Sequence, residues 1–287
     1  MYAYPTQKCL VIAEACCNHM GDFEIAKKMI STAKNCQADF IKFQKRNPKE
    51  SVPKEWQSKP HPNPWHSFGT TYLEHREKLE FTPKQHKELK QICEDNGIDY
   101  SSSVWDLTSA KQIIELNPKY IKVPSAANTY YPLLDLLFTE YHGNIHISLG
   151  MITNKEKEQL FKYLEPYHNR IVAYHAITEY PVPFERIFLL ELSKLSKIFP
   201  HIGYSGHHYG IAIDMVAYMM NVEIIERHFT LNRTWPGTDQ AASLEPTGLA
   251  KLTRDLHAAY KALQFKNIEM TEIEQINRGK LKICLRK

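Results

Sequence analysis

Short apolar, β-branched runs recur along the chain at 9–17, 39–44, 98–104, 119–125, 144–150, 170–176, 201–206 and 222–229. Between most of them, apolar positions return every three or four residues, at 22–36, 82–96, 107–116, 154–166, 185–199, 210–220 and 244–263. The stretch "YPLLDLLFTEY" adds a further helical pattern after the fourth run. A period near two marks strands and a period near 3.6 marks helices, so the pattern predicts strands alternating with helices. Such βα alternation implies a parallel sheet. Eight such units in roughly 250 residues is the number of a (β/α)8 TIM barrel of the α/β class. The main rival is an open, doubly wound sheet. That fold more often carries a glycine-rich fingerprint after its first strand, and "ACCNHMGD" is not one.

One segment breaks the rhythm. Residues 45–81 are rich in Pro, Lys and His, with aromatics in the middle. Their length and composition predict a long βα loop with room for a small hairpin. In a barrel, loops after strands build the functional face, so this one is a candidate for enclosing a substrate. The barrel is expected over 1–263, and the polar, basic tail 264–287 is expected to pack a last helix against it.

Composition narrows the function classes. A chain of 287 residues, 43% hydrophobic and 24% charged, can bury a large core. Its net charge of +4 is spread along the chain without a basic block, so nucleic acid is not implied. A mild positive excess also suits a small anionic substrate. The six cysteines form no C-x-x-C pair, and free thiols in a chain this size fit a reducing compartment. Adjacent Cys16 and Cys17, inside an apolar run, read as core packing. The N-terminus lacks the pattern of a secretory leader, and no apolar run reaches the length of a membrane span. A soluble, cytoplasmic protein without a membrane partner is expected.

The candidate chemistry lies where the strands end. Glu14 and Asn18 close the first run, and Lys42 and Gln44 lie one strand period apart on the second. Ser103 ends the third, Lys122 and Ser125 the fourth, and Ser148 the fifth; His175, Thr178 and Tyr180 follow the sixth. Ser205 and His207 share a face on the seventh, as do Glu226 and His228 on the eighth. Ionisable groups on apolar strands are costly unless paired or solvated, yet nearly every strand here ends in a polar group. The two lysines and the hydroxyls of Ser103, Ser125, Ser148, Thr178 and Ser205 suit a phosphate and a carboxylate on one small molecule. Glu14, Glu226, His207, His228 and Asp239 form a second set, in which two histidines from neighbouring strands could share a divalent metal.

Plainer readings stand beside these. Lys122 could be a salt-bridge partner of Glu14, and His175 a core histidine bonded to backbone. His61, His66, His86, His142 and His257 read as solvated, and His208, on the other parity from His207, as an ordinary loop residue. The whole polar ring could also serve a binding protein without turnover.

Several stretches together carry a resemblance: "VIAEACCNHMGDFEIAKKMI", "ADFIKFQK", "HISLGMIT", "EYPVPFE", "IGYSGHHYGIAI" and "IIERHFTLNRTWPGTDQAASLEP". In order and spacing, from about residue 9 to residue 263, they resemble the sialic acid synthase family, and "SFGTTYLEHREKLEF" is similar to its animal-type branch. The resemblance implies a (β/α)8 barrel that condenses phosphoenolpyruvate with an amino sugar, N-acetylmannosamine or its 6-phosphate, with Mn²⁺ or Mg²⁺ as cofactor. The product implied is a nine-carbon α-keto acid, with release of phosphate. By position it implies His207 and His228 as metal ligands, and Lys42, Ser103, Lys122, Ser125, Ser148, Thr178 and Ser205 as phosphoenolpyruvate contacts. Gln44, Tyr180 and Asp239 fall at sugar-side positions, and Glu14 and Glu226 are the candidates for proton transfer. A homodimer is expected on the same ground. Two departures stand out. Ala127, in "PSAAN", replaces an acid of the family, and the chain stops about where a small antifreeze-like domain would begin, so that domain is expected to be absent. The alternatives are a sugar-phosphate sensor on the same fold and a metal-dependent pyruvate aldolase.

Overall fold

The computed structural model describes residues 5–283. Eight parallel strands form: β1 (Leu10–Cys16), β2 (Phe40–Lys45), β3 (Asp99–Val104), β4 (Tyr120–Val123), β5 (Asn144–Ser148), β6 (Ile171–Ala176), β7 (His201–Gly206) and β8 (Ile224–His228). They pair in chain order, and β8 pairs back onto β1 with Glu14 beside His228. The architecture is therefore a closed (β/α)8 TIM barrel and not an open sheet.

Helices Phe23–Asn35, Pro83–Asn96, Leu107–Leu116, Tyr131–Glu140, Asn154–Leu164, Ala212–Met219 and Pro246–Ala262 fall where the periodicity placed them. Their starts are written locally: the Asp22 carboxylate accepts from the amides of Glu24 and Ile25, and Thr82 and Thr153 form capping boxes with Gln85 and Glu156. The pattern over 185–199 yields only the short helix Glu191–Leu195. Two local events explain the shortfall: the Ile187 carbonyl accepts from the His175 ring, and Phe188 takes a left-handed φ of 50°.

Alternation along the strands separates two layers. Ile41, Ile121, Ile145, Ala173, Ile202 and Ile225 point outward into the main core against the helices. Ile12, Phe40, Tyr120, Val172, Tyr174 and Ile224 point inward and plug the barrel's lower half. Gly203 makes room for that plug, because a Cβ there would stand 2.5 Å from the Tyr174 ring. Above the plug the inward positions turn polar, and the site is built there.

Two expectations differ from what forms. Of residues 45–81, only Lys45, the last residue of β2, is in a strand; the rest fold as the helical pieces Pro48–Ser51, Lys54–Gln57 and Tyr72–Leu79 and the 3₁₀ turn Pro64–His66. Five prolines, at 48, 53, 60, 62 and 64, lack the N–H that a hairpin ladder needs. The tail expected to pack on the barrel ends in helix Glu272–Leu281, which buries none of its residues. Alternating charge keeps much of that helix wet. Cys284 lies outside the described residues.

Candidate active site

Side chains from all eight strand ends converge on a cavity of about 200 Å³. Its lining holds Glu14, Lys42, Gln44, Ser103, Lys122, Ser125, Ser148, Thr178, Tyr180, Ser205, His207, Glu226, His228 and Asp239; of the residues named at the strand ends, Asn18 and His175 stay outside it, Asn18 donating to the Phe229 carbonyl and Ser243 Oγ, and His175 to the Ile187 carbonyl. A wider, open hollow of about 1050 Å³ lies at the opposite barrel end, where Lys8–Asp39 and Lys119–Asp99 already pair as ordinary ion pairs. Only the smaller cavity gathers groups that converge.

Its floor rests on the aromatic plug. Tyr120 stacks on His146 at 3.7 Å, and the Tyr174 hydroxyl meets His146 Nδ1 at 2.9 Å. Lys122 places its Nζ 4.5 Å above the Tyr174 ring, a cation–π contact, and pairs with Glu226 Oε1 at 2.5 Å. Lys42 pairs with Glu14, lies 3.6 Å from Glu226 Oε2 and donates to Ser103 Oγ at 2.8 Å. Ser205 donates to Glu226 Oε1 at 3.1 Å. Thus Lys122 is a salt-bridge partner, but its counter-ion is Glu226 and Glu14 belongs to Lys42. All four charges are buried. Burial pushes Lys42 down to about 7 and also lowers Lys122. Burial opposes ionisation of Glu226, yet Lys122 and then Lys42 hold it below the usual carboxylate range. Removing water around four alternating charges is expensive without a compensating task, which points to a site prepared for an anion.

The hydroxyls meet on one side of this floor. A Cβ on Gly150 would lie 2.7 Å from both Ser125 Oγ and Thr178 Oγ1, and the Gly150 amide donates to Ser125 Oγ at 3.2 Å. Asn128 ties the neighbouring loops by donating to the Ser148 and Gly150 carbonyls. Ala127 packs in the outer core and not in the cavity, which Ala126 lines instead.

Opposite the hydroxyls lies a group of metal-type donors. Cys16, His228 and Asp239 bring one ligand atom each to within 4.8 Å of one another. The Cys16 thiol donates to Asp239 Oδ2 at 2.7 Å, and Gln44 Nε2 approaches the same sulfur at 2.8 Å. His228 Nδ1 is buried without a hydrogen-bond partner. Burial lowers the His228 pKa; Asp239 is held low by neighbouring His228 against the opposing effect of burial. A neutral imidazole and a carboxylate, with a sulfur that would ligate as the thiolate although burial raises its pKa, form a donor set that fits a divalent ion. His207 stands beside this group with its ring 5.3 Å from that of His228. Its Nδ1 donates to the Ile177 carbonyl at 2.6 Å, and burial with the nearby His228 pulls its pKa down to about 3. The ring is therefore neutral with its lone pair on Nε2. Tyr180 covers both rings, at 4.1 Å from His207 and 5.5 Å from His228.

The sequence pattern places Cys16 in the core, and here the structure differs, whereas Asp239 stands beside His228 as the grouping by residue type has it. The reason for the difference is a break in register between Glu14 and Cys16, where β1 bulges against β2. Cys16 takes a left-handed φ of 47°, its amide donates to Glu14 Oε1 at 2.8 Å, and the thiol turns toward the cavity. Its parity with Glu14 was the available signal. Arg46, Arg76 and Trp105 also line the cavity and had no signal in the strand pattern. The histidines read as solvated divide: His61 and His86 are buried, His86 with its Nδ1 2.8 Å from the Tyr100 hydroxyl. His208 is buried as well, 3.6 Å from Asp214 in the layer between barrel and helix, where Asp214 also pairs with Arg227.

The sequence profile of the NeuB family matches residues 29–267. The chain belongs to the NeuB family. Among curated NeuB-type relatives, it is 37% identical to an N-acetylneuraminate-9-phosphate synthase of Mus musculus, covering 89% of this chain and 71% of that protein. It is 34% identical to an N,N'-diacetyllegionaminic acid synthase of Campylobacter jejuni, over 94% of this chain and 83% of that one. A solved N-acetylneuraminic acid (sialic acid) synthetase of Leptospira borgpetersenii, in complex with citrate, superposes with a TM-score of 0.78 at 27% identity, covering 98% and 94% of the two chains. Among the described residues, no helix is long and apolar enough to cross a membrane.

Proposed function

We propose that this NeuB-family barrel condenses phosphoenolpyruvate with an N-acylated hexosamine to give a nonulosonic α-keto acid and phosphate. One observation carries the reading: two buried lysines, held by two glutamates, face a hydroxyl rim and a metal-type donor group inside a single cavity. Lys42 and Lys122, with Ser103, Ser125, Ser148, Thr178 and Ser205, bind the phosphate and carboxylate of the enol. Being fixed beforehand in a water-poor site, they orient the enol carbon without reorganisation. His228, Asp239 and Cys16, with His207 beside them, would hold a divalent ion, Mn²⁺ or Mg²⁺ in the reading of the family. Such an ion would supply Lewis-acid polarisation of the sugar aldehyde.

The enol carbon bonds to the aldehyde carbon, and the aldehyde oxygen takes a proton to become a hydroxyl. Water adds at C2 of the former enol, the C2–O bond to phosphorus breaks, and inorganic phosphate leaves. Glu14 and Glu226 are the proton carriers in reach of these atoms. Gln44 and Tyr180 border the sugar's side, where residues 45–81 wall the cavity: the Gly237 amide donates to His66 Nδ1 at 3.0 Å, tying that segment to the loop that carries Asp239.

The test is phosphate release on a panel of mannosamine, mannose and diacetamido-dideoxy hexoses, with and without phosphate, plus phosphoenolpyruvate and metal. Release that needs both substrates and the ion is expected. Tight sugar-phosphate binding without release would favour a sensor, and turnover with pyruvate in place of phosphoenolpyruvate would favour an aldolase.

A further inference from the structure

Cys16 and Cys17 are adjacent thiols, and only the first has a part in the chemistry above. Neighbouring side chains on a strand point to opposite faces, so a regular β1 would hold the two sulfurs apart. The strand ends in a turn instead. The Asn18 amide donates to the Ala15 carbonyl at 2.9 Å, which makes Cys16 and Cys17 the two central residues of a β-turn. The left-handed φ of Cys16 falls at the first of these positions, where glycine or asparagine is the usual occupant. A cysteine held there carries backbone strain, and such strain gathers at functional positions. The turn brings the two Sγ atoms to 3.8 Å from each other. Both stand at Asp239 Oδ2, 2.7 Å from Cys16 and 3.6 Å from Cys17. Cys17 is half-buried, whereas Cys9, Cys16, Cys36 and Cys93 are buried, so among these five Cys17 is the one that solvent reaches most readily.

A bridge between these sulfurs would close a small ring that contains one peptide bond. Consecutive Cα atoms stand about 3.8 Å apart across a trans peptide, short of the roughly 4.4–6.8 Å that a relaxed disulfide spans. The ring is therefore strained, and strained disulfides are reduced easily, as regulatory ones are. The consequence falls on the donor group of Cys16, His228 and Asp239. A metal takes the thiolate, and a sulfur inside a disulfide has no charge to offer. Closing the gap to about 2 Å would also draw Cys16 Sγ away from Asp239 and from Gln44 Nε2, which now approaches it at 2.8 Å.

We propose that Cys16 and Cys17 form a peroxide-reactive dithiol, a modification site whose bridging weakens the hold on the divalent ion. The Cys17 sulfur attacks the peroxide: the O–O and S–H bonds break, an S–O bond forms and one water leaves. The Cys16 sulfur then attacks Cys17, the S–O bond breaks, the S–S bond forms and a second water leaves. The two thiols lose two electrons, and the peroxide gains them. Bridging itself follows from the turn; only its effect on the ion rests on the donor group in the proposed function. The full chain is treated with hydrogen peroxide, and its peptides are weighed without reductant. Manganese affinity is measured by calorimetry before treatment, after it, and after dithiothreitol. The peptide holding both cysteines should lose two hydrogens, and manganese affinity should fall about tenfold or more, the scale for losing a group that supports a metal site. Dithiothreitol should reverse both. Cys17→Ser, checked for its fold by circular dichroism, should bind manganese as the parent does and keep that affinity under peroxide. The proposal is overturned by a parent that forms no bridge, by oxygen added to either sulfur that dithiothreitol leaves in place, or by a bridge that leaves manganese affinity unchanged. It is equally overturned if the parent binds no manganese at the outset, or if peroxide weakens Cys17→Ser as much as the parent. None of these readouts needs turnover, so absent phosphate release strikes the condensation without touching the dithiol, and the reverse holds too.

Discussion

Lys42 contacts two carboxylates and a serine hydroxyl in a space with almost no water. Burial brings its pKa to about 7, so above neutrality the free site holds a growing share of neutral amine. An arriving trianionic enol phosphate favours the protonated form, and binding must then draw a proton from solvent. The sign follows: affinity for phosphoenolpyruvate falls as pH rises through about 7, and calorimetry at pH 8 in buffers of differing ionisation enthalpy should register net proton uptake. Zero uptake, or affinity that rises with pH, contradicts this account of the lysine floor. At the donor group, His228→Ala should reduce bound metal from about one ion per chain to near none, read by elemental analysis with the fold intact by circular dichroism. Unchanged stoichiometry would place the ion elsewhere. Cys16→Ser replaces a soft sulfur by a hard oxygen, so retention of zinc should fall more than retention of manganese; an equal effect on both would remove the thiol from the ligand set.

At the scale of the element, strand parity made most of the site legible. Ser205 and His207, or Glu226 and His228, share a face because side chains alternate, and no tertiary knowledge is needed to see it. Parity fails where the backbone departs from a regular strand. The bulge after Glu14 turns Cys16 toward Asp239, a residue more than two hundred positions away in sequence, and a thiol in an apolar run gives no outward sign of that. Parity is equally silent on the turn after β4, a short 3₁₀ piece, which places Ala127 in the outer core and Ala126 on the cavity. The loop after β5 offers a sharp test. A methyl group on Gly150 would crowd Ser125 and Thr178 at 2.7 Å, so Gly150→Ala should lower kcat/KM by about a hundredfold, the scale of a displacement near 1 Å. Its melting temperature should stay close to that of the parent, since the clash falls on the cavity and not on the core. A large loss of melting temperature with retained activity would reverse that assignment.

For the whole molecule, eight βα units determined the barrel, and the barrel brings the strand ends together however far apart they lie in the chain. That is why candidates scattered from Glu14 to Asp239 share one cavity. The inserted segment was harder to read. Its prolines, which leave no hairpin, were not weighed against the expected one, and nothing in its sequence said that Arg76 would reach the cavity or that His61 and His75 would pack together at 4.5 Å. Those contacts depend on where the barrel holds the two ends of the segment. The central claim is that this barrel joins three carbons of an enol phosphate to a sugar aldehyde. Mass spectrometry of the product formed from phosphoenolpyruvate carrying ¹³C at all three carbons, an N-acylated hexosamine and a divalent ion tests it most directly. The account predicts a single α-keto acid heavier than the acceptor by one fully labelled three-carbon unit, with one phosphate released per product. Labelled pyruvate with the sugar recovered unchanged would contradict it.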